Sequence, residues 1–152
     1  MQGDFLGGDM DFKVDNCIFF QLAKASQAAA KFWSGCVSEY NLTAVQAMAL
    51  NFLGQEDEIT SSKLGKRTGL DSATLTGILD RLEAASLIER RRHPYDRRAI
   101  QICLTGKGRE TAGKIYEMSI KANKSFLSSL SLKEVATLHG LLDKVRSDAI
   151  IG

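Results

Sequence analysis

Four apolar residues, Leu75, Ile78, Leu79 and Leu82, fall at i, i+3, i+4 and i+7, a spacing that a helix gathers into one buried stripe. Asp71 stands where its carboxylate can accept from an orphan N–H of the first turn, so the helix is expected from Asp71 through Ala85. At about 100° per residue the opposite face carries Ala73, Thr74, Gly77, Asp80, Arg81 and Ala84. The centre of that face is bare of bulk. Gly77 in a helix interior costs about 1 kcal/mol relative to alanine. Close approach to a grooved surface such as DNA gives a reason to keep it; the plainer alternative is a solvated face that tolerates small residues.

What surrounds this helix narrows the fold. Thr60 is placed to cap a shorter helix reaching about Arg67, and Gly69 permits a tight turn between the two. Residues 87–93 and 99–104 flank Pro94-Tyr95-Asp96-Arg97-Arg98, a turn with the chain's only proline. Ile100, Ile102 and Leu104 alternate with Gln101 and Cys103, the period-two pattern of a half-buried strand. The stretch 60–105 therefore reads as helix, turn, helix and a two-stranded hairpin, or wing. Within residues 61–98 nine basic side chains oppose five acidic ones, nine minus five giving +4, in a chain whose total is +2. The remainder sums to −2, so basic charge is concentrated where phosphates would be met.

The runs Leu42-Thr43-x-x-Gln46, Leu70-Asp71-Ser72-x-Thr74-Leu75-Thr76, Arg81-Leu82-Glu83, Leu87-Ile88-Glu89-Arg90, Asp96-Arg97-Arg98 and Leu104-Thr105-x-x-Gly108 together resemble the MarR family of bacterial transcriptional regulators. The likeness is close over residues 41–110 and extends beyond them as helical layout. Two positions depart from the family pattern. Ser86 stands where a glycine commonly precedes the Leu-Ile-x-Arg strand, and Gly77 stands where many members carry arginine.

The resemblance implies a mainly α fold with a small β-hairpin wing, and a dimeric repressor of a pseudo-palindromic double-stranded DNA operator. It also implies release by a small-molecule effector of aromatic-acid type. Ser72 and Thr74 are expected to meet phosphates and base edges at the helix start, where the helix dipole is positive, with Thr76 at the groove edge. Arg81 is expected to clamp a phosphate from the far end, and Lys63 and Lys66 to assist from the preceding helix. On the family pattern Arg98 enters the minor groove, oriented by Asp96, and Arg97 adds backbone contact. Phe20, Trp33 and Met48 are expected to line an effector cleft, with membership of the core as the alternative for each.

Residues 1–10 read as a loose tail. A long helix is expected over 11–38, with Ile18, Leu22, Ala25, Ala29, Phe32 and Cys36 as a heptad-like seam and Phe12, Phe19, Trp33 and Tyr40 as a second apolar line. Thr43 and Gln46 form a capping box for a second helix ending near Leu53; Thr105 caps a fifth, and Ser131 with Glu134 opens a sixth. The end helices carry more apolar face than a small wing-bearing module can cover. One domain, 1–152, is expected, with a DNA-binding lobe at 41–105 and homodimerisation through 11–38 and 106–152. A dimer also sets two recognition helices one DNA turn apart.

Other function classes find little support. No run approaches 18 consecutive apolar residues, and the first ten residues hold Asp4 and Asp9 but no basic residue, so neither a membrane span nor a targeting signal is expected and a cytoplasmic location follows. Cys17, Cys36 and Cys103 match no metal spacing, and His93 and His139 stand apart from acids and cysteines. No enzyme activity, metal or cofactor is expected. Cys17 and Cys36, placed on one helix, lie too far apart for a disulfide. Two alternatives keep parts of the reading. The segment Ile18-Phe19-Phe20 and the run from Leu70 to Thr76 resemble the organic-hydroperoxide-sensing branch, which makes Cys17 a redox candidate. The sensing position, however, aligns with Phe19, about 200° away around a helix. The last alternative, a winged-helix module that binds protein, is separable by salt titration, because phosphate binding weakens steeply with ionic strength.

Overall fold

The computed structural model describes residues 13–149. The proposed tail at 1–10, Phe12 and the expected helix start at Asp11 lie outside them. A 3-10 turn over Val14–Asn16 leads into α1 (Ile18–Val37), and a second over Ser38–Tyr40 leads into α2 (Ala44–Gln55). The helix expected from residue 11 is interrupted at Cys17, whose ψ of 124° makes it an extended N-cap and not a helical residue. After α2 come β1 (Ile59–Thr60), α3 (Ser61–Thr68), α4 (Ser72–Ala84), β2 (Ile88–Arg92), β3 (Ile100–Leu104), α5 (Gly106–Phe126) and α6 (Leu132–Ala149).

Caps written in the sequence set most of these boundaries. Thr43 accepts from the Gln46 N–H at 3.2 Å while the Gln46 side chain accepts from the Thr43 N–H at 2.9 Å, closing the capping box of α2. Thr60, Asp71 and Thr105 accept from the backbone three residues on, at Lys63, Thr74 and Gly108. Ser131 and Glu134 make the reciprocal pair that opens α6. Gly69, at φ +70°, closes α3 in the left-handed region and turns the chain into α4.

The sheet has three strands where the sequence pattern shows two. It is antiparallel with β3 in the middle: Ile59 pairs with Ile102 on one side, and Ile88 with Leu104 on the other. β1 escapes the pattern because two residues are too short for any periodicity. Alternation along β3 also breaks down. Ile100 is exposed near the wing tip, whereas Ile102, Cys103 and Leu104 are all buried. Toward its base the central strand is covered on both faces, and toward the tip it extends past the core.

The main core joins α2, α3, α4 and the sheet through Leu50, Leu53, Leu64, Leu79, Leu82, Ile88 and Ile102. Each fully buried leucine contributes about 2 kcal/mol relative to exposure, so the helix-turn-helix is held as one body with its wing. A smaller cluster of Val37, Ala47 and Ile115, flanked by Trp33 and Tyr40, ties α1 and α5 to α2. Leu75, Ile78, Leu79 and Leu82 are all buried, and Ala73, Thr74, Gly77, Asp80, Arg81 and Ala84 are exposed, as the 3.6-residue period requires.

Candidate nucleic-acid interface

The N-terminal ends of α3 and α4 face one groove, about 550 Å³ in volume, with Ser61, Ser62, Lys66, Gly69 and Ser72 among its lining. Ser61 and Ser62 carry no distinctive sequence signal and were legible only as positions following the Thr60 cap. The Asp71 carboxylate accepts from the Thr74 N–H at 2.8 Å and from the Thr74 hydroxyl at 2.7 Å. These bonds, the backbone one foremost, hold the Asp71 carboxyl below its ordinary range. Thr74 thereby has its hydroxyl proton committed and offers outward only acceptor lone pairs, suited to a base amino group and not to a phosphate. Thr76 likewise gives its proton to the Ser72 carbonyl at 2.8 Å. Ser72 has no side-chain hydrogen bond among the described residues, so its hydroxyl can donate to a phosphate oxygen.

Ion pairing divides the nine cations of residues 61–98 into two sets. Lys63 and Arg67 both pair with Glu56, Arg90 pairs with Asp80 at 2.7 Å and with Glu83, and Arg91 pairs with Glu89. Lys66, Arg81, Arg92, Arg97 and Arg98 have no ion-pair partner among the described residues and are exposed. Lys63 and Lys66, equal in the sequence, are thus unequal in the structure. The Glu56 carboxylate, drawn below its usual range chiefly by its hydrogen bond with Lys63, competes with any phosphate for that amine.

Arg90 links two elements of the interface. It extends from β2 to Asp80 and Glu83 on α4, fixing the wing to the recognition helix. Partial burial lowers its basicity, and the hydrogen bonds with the two carboxylates outweigh that, leaving the guanidinium pKa raised. At the wing tip Asp96 accepts from the backbone N–H of Arg98 at 2.9 Å, and its own carbonyl accepts from Ala99 at 3.1 Å. Asp96 therefore orients Arg98 through the main chain, with no carboxylate–guanidinium pair between them among the described residues. Tyr95, 94% exposed beside His93, is a further surface aromatic at this tip that no motif singled out.

The remaining site candidates are divided. Trp33 and Met48 line one cavity of about 310 Å³ between α1, α2 and α5, and the Trp33 indole N–H donates to the Ala44 carbonyl at 3.0 Å. Phe20 lies near the exposed start of α1 and does not line it. The three cysteines are free thiols. Cys17 is half-buried at the N-cap, and burial pushes the Cys103 thiol up, away from reactive thiolate. No group of three or more potential metal ligands occurs among the described residues, and no helix there is long and apolar enough to cross a membrane.

A helix-turn-helix with a basic wing clamped to its second helix, and five exposed cations on these elements that have no ion-pair partner among the described residues, defines a winged-helix DNA-binding regulator. A model of the MarR family matches residues 40–99. TtmR, a helix-turn-helix-type transcriptional regulator of Methylorubrum extorquens, is 34% identical over 109 residues. That match takes in 72% of this chain, which spans only 56% of TtmR. SarZ, a regulator of the same type from Staphylococcus aureus, is 32% identical over 72% of this chain and 73% of its own length. A mutant of MarR from E. coli, crystallised with operator DNA, superposes with a TM-score of 0.79 at 27% identity, covering 88% of this chain and 99% of that one. The chain belongs to the MarR family of transcriptional regulators; its relatives are regulators and not enzymes.

Proposed function

We propose that this protein is a dimeric repressor that lays α4 of each protomer in successive major grooves of a pseudo-palindromic operator, with Arg98 in the flanking minor groove. The observation that carries this reading is the division of charge: Lys66, Arg81, Arg92, Arg97 and Arg98 have no ion-pair partner among the described residues, while neighbouring cations are neutralised locally. Ser72 and Lys66 supply phosphate contacts, Thr74 an acceptor for a base edge, and Gly77 the clearance for close approach. The operator complex of the E. coli relative supports the same mode of use. A second copy of the chain is the partner that suits the end helices. α6 buries no residue, and Ile18, Phe19, Ile120, Leu141 and Val145 are exposed apolar side chains on α1, α5 and α6. A small molecule in the cavity beside Trp33 and Met48 shifts α1 and α5 against α2 and so alters the spacing of the two recognition helices.

The test is made on the wing. Arg98→Ala is expected to weaken operator binding and to shrink the preference for operator over random DNA, with fold and dimer unchanged. Asp96→Ala should give a smaller loss, and the double variant should be no worse than Arg98→Ala, because the two act as one unit. Asp96→Asn should bind nearly as the parent, since an amide oxygen accepts the Arg98 N–H as a carboxylate does. Fluorescence anisotropy at two salt concentrations reads all four variants. Unchanged binding by Arg98→Ala would remove the wing from the interface, and additive losses in the double variant would give Asp96 a role of its own.

A further inference from the structure

We propose that the cavity between α1, α2 and α5 takes an uncharged aromatic molecule bearing a neutral hydrogen-bond donor, and that it discriminates against the corresponding carboxylate. The inference rests on the effector reading above and departs from the aromatic acids that the family resemblance implied. A volume of about 310 Å³ lies at the small end of ligand pockets and suits one or two rings. Phe32, Trp33, Met48 and Phe126 form its apolar walls, with the Phe32 and Phe126 ring centroids 5.2 Å apart.

Its polar wall consists of Asn51, Ser119 and Asn123, and no Lys, Arg or His lines it. The hydrogen bonds determine what that wall can offer. Ser119 gives its only hydroxyl proton to the Ile115 carbonyl at 2.9 Å, so at the 2.6 Å contact with Asn51 it must accept, and the Asn51 NH₂ is the donor. That assignment leaves Asn51 Oδ1 as an acceptor, buried and without a partner among the described residues. The Asn123 NH₂ donates to the Ser119 carbonyl at 2.8 Å, but Asn123 is exposed and its oxygen is open to water. The buried polar group left without a partner among the described residues is thus an acceptor, the Asn51 oxygen. A buried acceptor without a donor is costly, and a small turn of the Asn51 amide brings a ligand N–H or O–H to it. A carboxylate brings no donor to the Asn51 oxygen, and it loses water without gaining a cation from the lining. Lys31 and Arg109 line neighbouring hollows and not this one, and Arg109 is paired with Asp57 at 3.0 Å.

Trp33 is the only tryptophan in the chain and lines the cavity, so its fluorescence reports occupancy. The full-length protein is titrated with 4-tert-butylbenzamide, its methyl ester analogue methyl 4-tert-butylbenzoate, and 4-tert-butylbenzoate, three ligands of one shape. The amide is expected to quench Trp33 and to bind at least tenfold more tightly than the carboxylate, with the ester, uncharged but lacking a donor, in between. Ala29→Phe fills the cavity from an exposed position on α1 and should abolish amide binding while the protein stays folded. Carboxylate binding equal to or tighter than the amide overturns the charge selection, and ester binding equal to the amide overturns the donor requirement. Failure of all three at millimolar concentration, or amide binding that survives Ala29→Phe, overturns the site. Operator anisotropy with the amide present is read separately: tight amide binding with unaltered operator affinity upholds the ligand class and overturns the effector reading.

Discussion

A side chain at residue 108 has no room. An alanine Cβ there would lie 1.7 Å from the Leu87 carbonyl oxygen, which already accepts from the Thr105 N–H at 3.1 Å. The Leu-Thr-x-x-Gly run is thus a packing device in which Thr105 caps α5 and Gly108 lets that helix press on the strand before the wing. Gly108→Ala is expected to cost more than about 3 kcal/mol, read by thermal or urea unfolding. Gly77 is the opposite case. A Cβ there meets nothing within 4 Å in the protein, so packing does not require the glycine. Gly77→Ala should raise stability by about 1 kcal/mol and yet weaken operator binding if close approach is its purpose; stabilisation with unchanged affinity would return Gly77 to the solvated-face reading. Ser86, standing in for the family's glycine, adopts φ +60°, a region that a non-glycine residue occupies at some cost.

Between elements, Arg90 and Asp71 control how the recognition helix is presented. The Arg90 clamp is partly solvent-exposed, so its ion pairs contribute no more than about 1 kcal/mol to folding. Its larger effect is geometric. Arg90→Met is expected to leave the melting temperature nearly unchanged while lowering operator affinity more than non-specific affinity, because the wing loses its fixed angle to α4. Equal losses on both DNAs would reduce Arg90 to a general contributor of charge. The Asp71 cap carries a pH dependence whose sign follows from its depressed pKa. A carboxyl lowered in the folded state contributes stability that is present above its unfolded pKa of about 4 and is lost as pH falls through the lower folded value. The Thr74 amide resonance should therefore titrate below the ordinary carboxylate range, and Asp71→Asn should remove that titration without melting α4.

At the scale of the whole molecule the protomer leaves α6 without a buried residue and α1 and α5 with exposed apolar side chains. Deleting residues 131–152 is expected to give an aggregating or unfolded chain, because α6 would no longer cover the exposed apolar faces of α1 and α5 in a dimer. A soluble, folded monomer, seen by sedimentation, would overturn the dimer reading. What the sequence by itself determined is local. The caps at Thr43, Thr60, Asp71, Thr105 and Ser131 and the stripe of α4 depend on partners three or four residues away, so spacing alone specifies them. What the tertiary structure decided depends on partners distant in the chain. β1 exists because residues 59 and 60 find β3; Lys63 is neutralised because Glu56 lies across the turn; and Asp57, 47 positions from Leu104, accepts that residue's N–H at 2.8 Å. The cavity is decided in the same way, since its polar wall forms only when Asn51 and Ser119, 68 positions apart, meet at 2.6 Å. No periodicity records such a meeting, because it is set by how the helices pack and not by the turn-to-turn geometry of any one of them.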